Sequence, residues 1–332
     1  MIDAPWDGHE PDPAEWPVLV TGAGGFAGGH IARLLAASGH RVRGLARRPP
    51  AIEPGDPPIE WVIGDIRHEE IRRTCVEGVR AVIHTAAWVS LGADRGDVSQ
   101  AVNVDATRSL LEEAREAGAT RFVYTSTLYT LGAGTRERPA DESTPWNLRM
   151  LDSPYTRTKR AAEKLVLAAS HNGFTTIALC PGMIQGQRDV KGTSTQIVRE
   201  LAKAPVAVLP GGGIPIIDAR VLALAHRRAL VAGNAGERYA VVGPYLSYHD
   251  LAALVKSITG RPKLVAPLPD FLEPLVSTPV ALAAPFLQRK WPDVSRPLVA
   301  GGFLRLYVTG ARADKCFGLV HPPAVESIRM SL

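Results

Sequence analysis

Three glycines, Gly22, Gly25 and Gly28, stand three residues apart, directly after the apolar run Val18, Leu19 and Val20. Ile31, Leu34 and Leu35 follow at helical spacing. This order of strand, glycine turn and helix restricts the fold more than any other stretch. A strand covered on both faces reads as an unbroken apolar run. The turn leaving it needs a residue without a Cβ, a pyrophosphate must approach the backbone closely, and the helix must pack tightly on the strand. The first helical turn then offers unpaired N–H groups and a positive dipole end to phosphates. In a chain with 31 glycines a triplet alone carries little, so the flanking strand and helix are what make this a nucleotide-binding turn.

The 332 residues suffice for one large domain, or for a domain with a companion lobe. A net charge of +5 with no basic run interleaved with aromatics argues against nucleic acid as a partner. Cys75, Cys180 and Cys316 lie far apart and match neither a metal spacing nor a disulfide framework, so no metal is expected and a reducing, cytoplasmic location fits. Residues 1–15 are acidic and proline-rich without an apolar core, and read as a flexible tail rather than a signal peptide.

Along the chain, strands are expected at 39–46, 59–63, 79–84 and 121–126, alternating with helices that include one starting at Arg67 and a long amphipathic one over 97–118. The alternation predicts an α/β fold, a Rossmann doubly wound parallel sheet. Its ligands lie at the carboxyl ends of the strands, where the glycine turn, Ala86 and Ser126 converge. A free ribose 2′-hydroxyl is usually met by an acidic residue about 20 positions past the glycines. Here Arg47 and Arg48 stand instead, and a guanidinium suits a 2′-phosphate, so NADP(H) is preferred with NAD(H) as the alternative. Asp65, followed by Ile66, either accepts from an adenine amino group or caps the helix at Arg67. The small residues Thr85, Ala86 and Ala87 let a cofactor lie against the sheet edge.

Ser153 and Pro154 mark a helix start, and Tyr155 and Lys159, four apart, share one face of that helix. A nearby ammonium favours tyrosinate and lowers the phenol pKa, which suits proton exchange with a carbonyl or alcohol oxygen. Thr127, at a strand end, is placed to hold that same oxygen.

With Thr21-Gly-Ala-Gly-Gly-Phe-Ala-Gly28, Gly64-Asp-Ile66, His84-Thr-Ala-Ala87, Asn103-Val-Asp-Ala-Thr107, Tyr124-Thr-Ser-Thr127, Tyr155-x-x-x-Lys159 and Pro181-Gly182 in order, the chain resembles the extended short-chain dehydrogenase/reductase superfamily. Tyr124–Gly132, Gly186–Asp189 and Gly236–Tyr239 resemble most its dihydroflavonol-reductase-like group, which includes hopanoid-associated epimerase-like proteins. The resemblance implies Tyr155 as acid/base, Lys159 on the nicotinamide ribose, Thr127 in the serine/threonine role, and Asn103 helping to place the lysine through water. The residues expected around the cofactor are Gly22, Gly25, Phe26, Ala27, Gly28, Arg47, Arg48, Asp65, Ile66, Thr85, Ala86, Ala87, Thr125, Tyr155, Lys159, Pro181, Gly182 and Met183. A homodimer through 97–118 and 155–169 is implied as well. Cys180, where arginine is common, and Ala219-Arg220-Val221, where acidic residues are frequent, depart from the pattern and bear on the substrate.

The nucleotide-binding domain is expected over 16–180, with 214–245 returning to it. Residues 181–213 and 246–332 form a smaller, interleaved substrate lobe, with helices at 189–203, 220–231 and 249–258 and a strand at 238–242. Residues 264–287 are apolar and interrupted by prolines. Prolines and Asp270 and Glu273 count against a membrane span, so broken helices lining an apolar pocket are expected, with membrane-surface contact as the alternative. Trp88, Thr127, Leu128, Tyr129 and Met183 are the substrate-side candidates, with Trp146 and Met150 nearby. Three functions compete. The first is NADP(H)-dependent reduction of a ketone or aldehyde on a fairly apolar small molecule. The second is epimerisation or dehydration of a nucleotide-linked sugar, disfavoured because Ile214-Pro-Ile-Ile217 follows Gly211–Gly213 where an arginine is usual. The third is NADP(H) sensing without catalysis, disfavoured by the intact Tyr155, Lys159 and Thr127.

Overall fold

The computed structural model describes residue 12 and residues 16–90, 97–192, 194–287 and 295–332. The expected tail at 1–15 lies, except for Asp12, outside the described residues. The first half runs β1 (Val18–Thr21), α1 (Phe26–Ala37), β2 (Val42–Ala46), β3 (Glu60–Ile63), α2 (Glu69–Val76), β4 (Ala81–His84), α3 (Asp97–Gln100), α4 (Ala106–Glu116) and β5 (Arg121–Thr125). It continues with α5 (Pro154–Ala168), β6 (Thr175–Pro181), β7 (Met183–Gln185), α6 (Gln196–Lys203), β8 (Val206–Pro210), β9 (Gly213–Asp218), α7 (Ala219–Arg228) and β10 (Glu237–Val241). The last elements are β11 (Tyr245–Ser247), α8 (Tyr248–Thr259), β12 (Leu264–Leu268), α9 (Glu273–Leu287), α10 (Arg296–Gly301), α11 (Ala311–Phe317) and α12 (Ala324–Ser331).

Seven strands form a parallel sheet in the order β10-β6-β5-β4-β1-β2-β3. The order reverses beside β1, the crevice where ligands bind in doubly wound sheets. One face is closed by α1 and α7, packing Ile31, Leu35, Val221 and Leu224 onto Val18, Val20 and Ile83. The other is closed by α2, α4 and α5, where Leu110, Leu111, Ala162 and Val166 meet Leu19, Val82, Phe122 and Tyr124. Central strands β1, β4 and β5 are buried along their whole length, which is why they read as continuous apolar runs. Outside this sheet β11, β9 and β7 form a three-stranded sheet, and β12 pairs with β8.

Several local expectations need correction. Residues 97–118 are not one regular α-helix: between α3 and α4 lies a π-helical segment, Ala101–Asp105. The helix expected at Arg67 begins two residues later, because the Asp65 carboxylate closes a tight turn instead, accepting from the Arg67 backbone N–H at 3.0 Å and from its guanidinium. Residues 189–192 and 194–195 are not helical. The buried Asp189 carboxylate accepts from the backbone N–H groups of Ser194 and Thr195 and from the Thr195 hydroxyl, holding a turn ahead of α6. Residues 264–287 are not broken helices around a pocket. They form β12, a single 3₁₀ turn and the 15-residue α9, which presents Leu275, Leu282 and Phe286 outward while Ser277 is buried. Among the described residues no helix is long and apolar enough to cross a membrane.

Candidate active site

The glycine turn is built as a cradle that side chains would fill. Gly22 adopts φ +69°, and a Cβ there would lie 2.8 Å from the Ala86 backbone nitrogen. A Cβ on Gly28 would lie 2.4 Å from the Gly22 carbonyl oxygen and 2.6 Å from Thr85 Oγ1. Gly25 is the N-cap of α1 and brings no side chain, and the first turn holds no acidic residue. The amides of Phe26 and Ala27 thus begin a helix with nothing negative beside them, the arrangement that takes an anionic group. Thr85 fastens the turn after β4 to β1, donating from its hydroxyl to the Thr21 carbonyl at 2.6 Å, and Ala86 N donates to Thr21 Oγ1 at 3.2 Å. Arg47 and Arg48 are exposed where β2 ends; past the end of β3, Asp65 is half-buried and Ile66 is buried.

Beneath these turns His84 bridges the Thr21 and Thr107 hydroxyls at 2.7 and 2.9 Å. Burial, with the Lys159 charge as a smaller influence, pulls its pKa down to about 3, so it is neutral. The loop after β4 is held by Asn103. Its amide oxygen accepts from the Trp88 backbone N–H at 2.7 Å, while its amide nitrogen donates to the Trp88 carbonyl at 3.0 Å and to Thr158 Oγ1 at 3.1 Å. The Asn103 side chain therefore ties loop to helix α5. Its direct hydrogen bonds go to Trp88 and Thr158.

Helix α5 begins as expected: Ser153 Oγ accepts from the Thr156 N–H at 3.2 Å and Pro154 is the first helical residue. Tyr155 is 8% and Lys159 2% exposed. Lys159 Nζ donates to the Thr125 carbonyl at 2.7 Å and stands 4.1 Å from the Tyr124 ring centroid. Burial draws its pKa down to about 7, against the pull of Glu163 in the other direction. The phenol of Tyr155 is pushed up to about 12, mainly by burial, with a hydrogen bond from the Thr127 side chain opposing this. The expectation of a lowered phenol pKa is thus not met. Burial outweighs the Thr127 side chain, the Lys159 ammonium is turned toward Thr125 and Tyr124, and Tyr155 is a neutral acid that can donate.

Leu128, Tyr129, Met183, Trp146 and Tyr248 pack with Cys180 in an apolar cluster at the strand ends that carry Thr127 and Pro181. Trp146 donates its indole N–H to the Tyr129 carbonyl at 3.0 Å. Pro181 and Gly182 are buried, Met183 half-buried, and Met150 exposed. Trp88 is half-buried, and its Nε1 has no hydrogen-bond partner among the described residues. Reading the sequence placed Ser126 at the ligand-binding strand ends but missed Glu163, Thr130 and Arg238, which join it in one network beside Lys159. The available signal was a glutamate one turn beyond Lys159, on the helix face that Ala162 and Val166 bury. Among the described residues no group of His, Cys, Asp or Glu could hold a metal ion.

A glycine cradle at the reversal of a parallel sheet, with a buried tyrosine and lysine on one helix beside it, defines a class: α/β enzymes that bind a nicotinamide dinucleotide. Comparison with known proteins agrees. The NAD dependent epimerase/dehydratase family matches residues 18–241, and the chain belongs to that family. It is 31% identical over 252 residues to a putative dihydroflavonol 4-reductase of Synechocystis sp., covering 74% of this chain and 73% of that one. It is 29% identical over 301 residues to sterol demethylase protein B of Methylococcus capsulatus, covering 89% of each. The solved structure of gox2253 matches with a TM-score of 0.78 and 28% identity, over 96% of both chains.

Proposed function

We propose that this enzyme reduces a ketone or aldehyde on a fairly apolar small molecule, with NADPH as the preferred reductant. The observation that carries this reading is Tyr155: a buried, neutral phenol hydrogen-bonded to Thr127 beside the apolar cluster of Tyr129, Trp146, Met183 and Tyr248. NADPH, when bound, would supply a hydride to the carbonyl carbon. Tyr155 donates its proton to the carbonyl oxygen, and Thr127 holds that oxygen by a hydrogen bond. Lys159 holds the nicotinamide ribose, and its charge stabilises the tyrosinate left after donation. Gly22, Gly25 and Gly28 admit the pyrophosphate to the α1 amides, and Arg47 and Arg48 supply cations for a 2′-phosphate.

Apolar substrate chemistry is supported by the cluster and by relatives named for a dihydroflavonol and for sterols. A nucleotide diphosphate is less well served. Ile214, Ile216 and Ile217 are buried in β9, and Arg305, beside Gly211, is paired with Asp270 at 2.7 Å. The test is Tyr155→Phe assayed against a panel of cyclic ketones. Turnover should fall by about 10²–10⁴ while NADPH binding persists. Undiminished turnover refutes the reading. Tightly co-purifying NAD(H) with no net NADPH consumption points to the epimerase chemistry instead.

A further inference from the structure

We infer that Glu163 is a positioning residue that holds the two arms of the proton-transfer site together, Lys159 through its charge and Thr127 through the hydroxyls on either side of it. This rests on the roles proposed above for Tyr155, Lys159 and Thr127. Glu163 is 4% exposed and lies four residues after Lys159, so both side chains leave the same face of α5. A buried carboxylate is costly unless it is paired and hydrogen-bonded, and this one is satisfied on every side. Its Oε2 accepts from the hydroxyls of Ser126 and Thr130, the latter at 2.6 Å, and from the Cys180 thiol at 3.4 Å. Its Oε1 accepts from Arg238 Nη1 at 3.0 Å.

The positions of the donors carry the inference. Ser126 directly precedes Thr127, and Thr130 closes the 3₁₀ turn Leu128–Thr130 of which Thr127 is the N-cap. Thr130 Oγ1 also reaches the Thr127 carbonyl at 2.8 Å. One carboxylate oxygen therefore clamps the turn on both sides of Thr127 and fixes where its hydroxyl meets Tyr155. Arg238, in β10 at the far edge of the sheet, braces the carboxylate from behind, and its own guanidinium is anchored on the Glu142 carbonyl at 2.7 Å.

The second arm is electrostatic. Lys159 faces Tyr155 and Glu163 on its own helix, Tyr124 on β5, His84 on β4 and Cys180 on β6. His84 is neutral, the Tyr124 and Cys180 groups are pushed well above their ordinary values, and Tyr155 is neutral at physiological pH. Glu163 is thus the negative group that favours the charged form of Lys159 against burial, while Arg238 shares its field.

The experiment reads Lys159 itself, in the cofactor-free full-length protein, by NMR titration of lysine ¹³Cε labels, with the Lys159 signal assigned by its loss in Lys159→Arg. The wild-type midpoint should lie near 7. In Glu163→Gln, which keeps the shape and one acceptor oxygen, it should fall by about one pH unit or more. In Arg238→Met, which leaves Glu163 without its competing cation, it should rise. Opposite shifts in the two variants are not produced by general loosening. An unchanged midpoint in a folded Glu163→Gln overturns the inference, and if that variant does not fold, a midpoint in Arg238→Met that falls or stays put does so. A clamp on Thr127 is read separately. Ser126→Ala with Thr130→Val should lower kcat at least tenfold with little change in the KM for NADPH, and equal kcat refutes that arm. Because the titration needs no turnover, its outcome is distinct from failure of the reductase reading, which Tyr155→Phe decides.

Discussion

The ammonium of Lys159 rests 4.1 Å from the centroid of the Tyr124 ring, and Tyr124 stands directly across from His84 in the β4–β5 register. The face of an aromatic ring and the Thr125 carbonyl are what solvates this charge once water is excluded. Neither carries a full negative charge, and the Glu163 carboxylate offsets burial only in part, so the group is held with its pKa drawn down to about 7 and is destabilising to the fold while it serves the site.

Replacing Lys159 should therefore raise stability. The unfolded chain binds the proton up to pH 10.5, whereas the folded chain releases it at about 7. Folding is thus penalised below pH 7, and the penalty is relieved as pH rises from 7 to 10.5. Lys159→Met should gain roughly 2–4 kcal/mol in urea unfolding at pH 7 and lose activity. A stability equal to wild type would show that the lysine is fully solvated by its neighbours.

His84 gives a dependence of the same sign at lower pH. The unfolded imidazole protonates near 6.5 and the folded one resists to about 3, so the native state loses stability as pH falls through that interval. The limit is about 1.4 kcal/mol per pH unit. Urea unfolding at pH 7 and pH 5 should show a steeper loss for wild type than for His84→Asn, whose amide does not titrate. Parallel losses would place the acid sensitivity elsewhere.

Gly28→Ala should cripple cofactor binding. Its Cβ would press on the Gly22 carbonyl and Thr85 Oγ1, both of which shape the cradle. A loss of about 1–3 kcal/mol in stability and at least a tenfold weaker NADPH Kd are expected by calorimetry. A variant binding normally would mean that the turn is not where the pyrophosphate lies.

Arg47→Glu with Arg48→Glu should reverse the cofactor preference. Both side chains are exposed, so stability should change by less than about 0.5 kcal/mol. Affinity for NADPH should drop about 10–100-fold while NADH is unaffected or improved, measured by fluorescence titration. Equal losses for both cofactors would deny the 2′-phosphate contact.

How much was legible in the sequence follows from how local each feature is. The cradle was legible because Gly22 and Gly28 answer to backbone contacts that no side chain permits. The start of α5 was legible because Ser153 and Pro154 act within one turn. The π-helical segment was not, since Ala101–Asp105 has an ordinary helical composition and its widened turn is stabilised by Asn103 reaching a residue 15 positions away. Nor was the Glu163 network, whose partners come from three strand ends brought together by the sheet. In residues 264–287 the prolines read as helix breakers. Pro279 and Pro285 are nevertheless accommodated within α9, whose outward face leaves its apolar side chains bare.

The Asn103 clasp on Trp88 has a mechanical consequence. Because both hydrogen-bonding edges of one backbone residue close on a single amide that is itself seated in a helix, the stretch from Thr85 to Trp88 is held by a distant splint. Thr85, Ala86 and Ala87 can then be as slender as a passing ligand requires, for their course is dictated from outside rather than by bulk of their own.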